Sequence, residues 1–297
     1  MQSDLKRISA LLQQRQIVEA QNLCRTFTEN YPDSVQGWLY LSQICQIKGD
    51  LKGMLANAQK ALIISPSSLM VKLMEAEASL LCGDLSDIET KLSSLESIAA
   101  TDAQALKHVA LLHTHLERHA DAMRCYQQAR LLTGDIPELL YNTAVAASAL
   151  GDMDEAQNLY DSVIAQNPKD YAAYYNRAIL QRQTSDNNHI AEVESVFKQN
   201  AQDSEAVVQL GYALSKEYED IGDYAASFAH LKPAADTRKA MLSYDVTDDV
   251  STMTQISRAM GRDFFADYPD TQHRPGPIFI LGQPRSGTTL VDRIISS

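Results

Sequence analysis

The chain has 297 residues, 45% of them hydrophobic and 22% charged, and a formal net charge of −12. Such a length exceeds one ordinary domain and suffices to bury a core, and only 12 Gly and 9 Pro argue for ordered helix over disorder or a turn-rich β fold. The acidity, with no Lys/Arg-rich stripe to offset it, argues against nucleic acid as a partner.

The N-terminal stretch, Met1 to Gln16, alternates polar with apolar residues at helical spacing and lacks the uninterrupted apolar segment of a secretory signal. No apolar run reaches membrane-spanning length. The expectation is a cytoplasmic protein with no membrane association. Cys24, Cys45, Cys82 and Cys125 form no Cys-x-x-Cys pair and fall where helices place small apolar residues, which predicts reduced, buried thiols.

Punctuation recurs every 34 residues, so that units counted from Met1 restart at Val35, Leu69, Ala103, Pro137 and Tyr171. The twentieth residue, where a second helix packs closely on the first, is small in three units (Ala20, Ala122, Ala156) and large in two (Met54, Ile88). Pro32, Pro66 and Pro168 share one register, and proline there ends the second helix by lacking an N–H and restricting its predecessor. Between the helices a Gly-Asp turn recurs as Gly49-Asp50, Gly83-Asp84 and Gly151-Asp152, glycine supplying positive φ and aspartate a cap. The fifth unit shows the whole pattern, from Leu140-Tyr141-Asn142-Thr143-Ala144 through Ala156 and Tyr160 to Pro168.

These residues resemble the tetratricopeptide repeat. The predicted fold is all-α: a tetratricopeptide superhelix of about six to seven helix pairs over residues 1–235. The sixth unit opens well with Tyr174 to Ala178, then loses its Gly-Asp turn. A seventh pair restores Gly222-Asp223 with about one extra helical turn, as expected of an atypical capping unit. Asn142 and Asn176, sixth in successive units, predict a two-rung amide ladder of the kind that holds a peptide backbone in some tetratricopeptide superhelices. Tyr141, Tyr175 and Arg182 would flank the same groove, whose expected partner is a protein or peptide. A structural role for the two asparagines is the equal alternative.

His113, His115 and His119 cluster in the fourth unit, but without a third ligand at a convincing position no metal site is expected. The acidic run from Tyr244 to Asp249 reads as a solvated connection with a helix cap. Residues 236–277 read as a helical and proline-rich connection.

Ile278-Phe279-Ile280-Leu281 then predicts a short buried parallel strand, followed by a glycine-bounded loop and a helix restarting at Leu290. Strand, loop and helix in this order let backbone N–H groups and a helix N-terminus converge on a phosphate. The loop has the glycine spacing of a nucleotide-triphosphatase P-loop, but Thr288 replaces its lysine, which disfavours nucleotide hydrolysis. The string Pro284-Arg285-Ser286-Gly287-Thr288-Thr289 resembles the phosphosulfate-binding loop of protein-tyrosine sulfotransferases, and the whole chain resembles tetratricopeptide-repeat sulfotransferases. That resemblance implies 3′-phosphoadenosine 5′-phosphosulfate as sulfate donor in a complete protein, held by residues 284–289, with Arg285 stabilising charge on the leaving bridging oxygen. It also implies that residues 278–297 are the start of a truncated α/β domain, inactive alone. The alternative is a non-enzymatic scaffold with a vestigial loop.

Overall fold

The computed structural model describes residues 1–261, 264, 278–282 and 286–296. Every predicted unit start coincides with the first residue of a helix. The pairs are α1 (Gln2–Gln13) with α2 (Ile17–Asn30), α3 (Val35–Ile47) with α4 (Leu51–Ile64), α5 (Leu69–Cys82) with α6 (Ile88–Ala99), and α7 (Ala103–His115) with α8 (His119–Thr133). They continue as α9 (Pro137–Leu150) with α10 (Met153–Gln166), α11 (Tyr171–Leu180) with α12 (Ile190–Gln199), and α13 (Ser204–Asp220) with α14 (Tyr224–Met241). These helices make one compact unit, Met1–Met241, and a second unit covers Leu242–Ser297. Helix α14 therefore runs through the expected boundary at 235.

The three alanines at the twentieth position, Ala20, Ala122 and Ala156, have no exposed surface, as close packing of paired helices demands. Met54 and Ile88 are also buried. Ile88 is accommodated by a shift of its helix. Second helices begin at Ile17, Leu51, His119 and Met153, in steps of 34, 68 and 34 residues, but α6 begins at Ile88, three residues later than position 85 would require. Ile88 is thus the first residue of α6, whereas Ala20, Ala122 and Ala156 are each fourth in their helices. The late start also overturns one expected cap. Asp50 and Asp152 accept from the N–H groups of Gly53 at 2.9 Å and Glu155 at 3.2 Å, whereas Asp84 accepts the Ser86 hydroxyl at 2.7 Å and caps no helix.

The turn between paired helices needs a left-handed residue at one fixed register. Gly49, Gly83 and Gly151 supply it with φ of 73°, 80° and 85°. In the first and fourth units the same register holds Arg15 (φ 57°) and Glu117 (φ 58°), whose side chains incur a steric penalty there.

The sixth unit keeps two helices despite its lost turn, because α13 holds the connecting loop. The Gln183 N–H donates to Asp220 Oδ2 at 2.9 Å, and the His189 N–H donates to the deeply buried Glu217 at 2.7 Å. At 17 residues α13 has the predicted extra turn. Its Gly211 meets Ala234 of α14 so closely that a methyl group there would sit 2.8 Å from the Ala234 Cβ.

In the second unit, α15 (Val246–Ala259) is capped as expected, the Thr247 N–H donating to Asp245 at 2.9 Å. A final helix, α16, spans Thr288–Ser296. The expected strand is not formed: residues 278–282 have no regular structure, and Ile278, Phe279 and Leu281 are 70–89% exposed. A buried-type strand needs neighbours to satisfy its N–H and C=O groups, and among the described residues there is no strand to pair with. The α/β start therefore gains no support, and the residues 265–277 of the predicted connection lie outside the described ones.

Candidate functional site

The first helices of successive pairs share a face, and side chains bridge them at a constant interval. Gln46 donates to Glu77 at 3.1 Å, a ring nitrogen of His108 lies 3.0 Å from Glu77, and Lys107 pairs with Glu138 at 2.8 Å. Each link joins residues 31 apart, one repeat less nearly one helical turn. The hydrogen bond from His108 holds the Glu77 carboxyl below its ordinary value, against the opposing effect of burial. Between α5 and α7 this face opens into a cleft of about 380 Å³, lined by Leu69, Met70, Leu73, Lys107, His108 and Leu111 among others.

The predicted amide ladder has two unlike rungs. Asn176 donates an N–H to the Tyr141 hydroxyl at 2.6 Å, tying α11 to α9. Asn142, half-buried on α9, has no hydrogen-bond partner among the described residues and reaches solvent. Tyr141 packs edge-on against Tyr160 with centroids 5.7 Å apart, and burial raises its phenol pKa while Asn176 lowers it. Tyr175 tilts against Tyr212 at 6.2 Å. Arg182 is exposed in the loop after α11, not on the helix itself.

Arg177, next to Asn176 in sequence, is 4% exposed and clamps the sixth unit. Its two terminal nitrogens reach Asp161 on α10 and Glu192 on α12, each at 2.6 Å. This clamp escaped the sequence reading because its acids come from different helices with no repeating register.

The opposite side of the third and fourth units carries a second polar network. Glu75 of α5 is almost wholly buried, accepting from Lys91 at 2.7 Å and from Ser79 at 3.0 Å, beside a cavity of about 490 Å³. The three histidines do not share a site: His113 is 3% exposed, His115 exposed and His119 half-buried. His113 lies instead 2.6 Å from Glu96 of α6, whose other oxygen accepts from Arg124 at 2.8 Å. A signal existed in the sequence. His113 occupies the register of Cys45, Ser79 and Ala147, all small and all buried, so a large polar group stands where these neighbouring units place a small residue. Of the cysteines, Cys24, Cys45 and Cys125 are buried and Cys82 half-buried; none is disulfide-bonded.

For the phosphosulfate-type loop, Pro284 and Arg285 lie outside the described residues. Ser286 and Gly287 form a bend, with Gly287 at φ 91°, and Thr288 and Thr289 open α16. A side chain at Gly282 would crowd the Ser286 hydroxyl and the Thr288 methyl group, which would have to turn aside.

Comparison with known proteins agrees with the repeat architecture. A tetratricopeptide-repeat family model matches residues 141–187. An uncharacterized protein of Aquifex aeolicus (strain VF5) is 27% identical over 159 residues, which is 50% of this chain but 19% of that protein's length. Solved structures share the fold: a thermophilic repeat protein of Thermus thermophilus (20% identity, TM-score 0.52, 60% of this chain and 97% of that one) and a tetratricopeptide repeat protein of Parabacteroides merdae (14%, 0.51, 79% and 98%). The type IV pilus biogenesis factor PilW is similar as well (13%, 0.52, 77% and 89%). The array thus has the all-helical superhelical fold of tetratricopeptide repeats. Among the described residues no helix is long and apolar enough to cross a membrane.

Proposed function

We propose that this chain is a scaffold that captures an extended protein or peptide segment along the face formed by its first helices. The observation that carries this reading is the half-buried Asn142 amide, without a hydrogen-bond partner among the described residues, while its neighbour in register, Asn176, is engaged by Tyr141. A primary amide offers both a donor and an acceptor to a passing backbone, and stacked repeats present such groups on one continuous surface. Tyr175 and the cleft between α5 and α7 extend the surface on either side.

The test is selection of binding peptides from a random display library, followed by calorimetry with variants. Asn142→Ala should weaken the selected peptides about three- to tenfold, the loss of one hydrogen bond of about 0.5–1.5 kcal/mol, with an unchanged melting temperature. Wild-type affinity in both Asn142→Ala and Tyr175→Ala would rule out this face.

A second reading, in which the repeats recruit an acceptor for sulfate transfer from 3′-phosphoadenosine 5′-phosphosulfate, rests on residues 284–289. In its favour, Ser286 and Gly287 lead into the N-terminus of α16, where helix N–H groups attract anions. Residues 278–282, which pair with no strand among the described residues, weigh against it. The scaffold reading expects no heat on titrating the chain with adenosine 3′,5′-bisphosphate; micromolar binding, lost in Arg285→Ala, would favour sulfate transfer.

A further inference from the structure

Three helices of the third and fourth units deliver one metal-ligating side chain each to a single point. Glu96 comes from α6, His113 from α7 and Cys125 from α8, and their ligand atoms all lie within 4.8 Å of one another. From this convergence we infer that Glu96, His113 and Cys125 form a binding site for a zinc-like divalent transition-metal ion.

The donor set suits such an ion. Imidazole nitrogen, thiolate sulfur and carboxylate oxygen are the three groups that zinc takes, at about 2.0–2.3 Å each. Tetrahedral bonds of that length place ligand atoms about 3.3–3.8 Å apart, so side-chain adjustments of about an ångström close the site. The fourth position is left for water. A carboxylate and a thiolate together also cancel the charge of a divalent ion, which burial requires.

The ligands are also shielded from water. His113 is 3% exposed, and its ring nitrogen Nε2 faces Glu96 at 2.6 Å. Coordination through Nε2 leaves the ring neutral, with its proton on Nδ1.

The ligand directions are held from outside the cluster. Arg124 donates to the second oxygen of Glu96 at 2.8 Å and is itself held by Asp121 at 2.8 Å. Such outer partners fix ligand direction in metal sites. Cys125 is 1% exposed. On binding, the S–H bond breaks, the proton passes to solvent, and the sulfur lone pair forms the metal bond.

The experiment uses the full chain, stripped with a chelator and titrated with zinc chloride and, separately, cobalt(II) chloride. One zinc per chain should bind and raise the melting temperature, and cobalt should give the charge-transfer absorption of a thiolate complex. Cys125→Ala should abolish that band, and Glu96→Gln, at a partly exposed position, should weaken zinc binding roughly tenfold or more. Cys82→Ala should leave both signals intact. No saturable zinc binding, a cobalt spectrum without the thiolate band, or a band that survives Cys125→Ala or disappears with Cys82→Ala would each overturn the assignment.

Discussion

Helix α13 and helix α15 are both amphipathic, yet one is built into a core and the other is not. In α13, Leu210, Ala213 and Leu214 have no exposed surface, locked by Gly211 against Ala234 and by neighbouring α11 and α12 residues. In α15, Val246, Val250, Met253 and Ile256, with Met260 just after it, remain 52–70% exposed within their own unit. Apolar periodicity makes a helix want a partner; only a neighbour in register supplies one. Repeats provide that neighbour automatically every 34 residues, and the residues after Met241 have left the period.

The sharpest way to break this comparison is to truncate one apolar side chain in each helix. Leu210→Ala should cost about 3 kcal/mol, the transfer and cavity terms of a buried leucine, while Ile256→Ala should stay within about 0.5 kcal/mol. Urea unfolding of the whole chain measures both, and equal losses would show that α15 contributes to the core after all.

A smaller effect separates packing from charge within the array. Arg177→Met removes the cation shared by Asp161 and Glu192, and should cost about 2 kcal/mol, below the usual range for breaking a buried pair because both carboxylates are 44% exposed and stay hydrated. A neutral or stabilising result would make the clamp a matter of specificity only.

The next test asks whether the turn register matters as much as the helices it joins. Glu117→Gly and Arg15→Gly should each raise stability by about 0.5 kcal/mol, relief of left-handed strain minus the added chain entropy of glycine. The same change at a right-handed position such as Glu138, within α9, should destabilise.

The smallest effect is a pH dependence. His230 packs against Tyr218 and Phe197 at 5.6 and 5.5 Å, and burial holds its pKa below the ordinary 6.5. The folded state therefore binds a proton less readily than the unfolded one, so this contribution is present above pH 6.5 and is lost as pH falls through the depressed folded value. In a His230→Phe variant the corresponding slope, read from melting temperatures on the acid side of 6.5, should be shallower.

Much of the array was legible before any coordinates. Punctuation placed Val35, Leu69, Ala103, Pro137 and Tyr171 at helix starts, because a turn glycine, a small crossing residue and a terminating proline each impose local steric rules that any 34-residue unit must obey. Local rules could not say where Glu96 would meet His113 and Cys125, that Asn176 would turn to Tyr141, or that Arg177 would span three helices. Those meetings join residues up to 35 positions apart with no shared register, and they are settled by how far one helix pair rotates and slides on the next. The same limit explains the strand expected at Ile278 to Leu281. An apolar run states what a segment would bury, but a strand exists only where another backbone offers the hydrogen bonds it lacks.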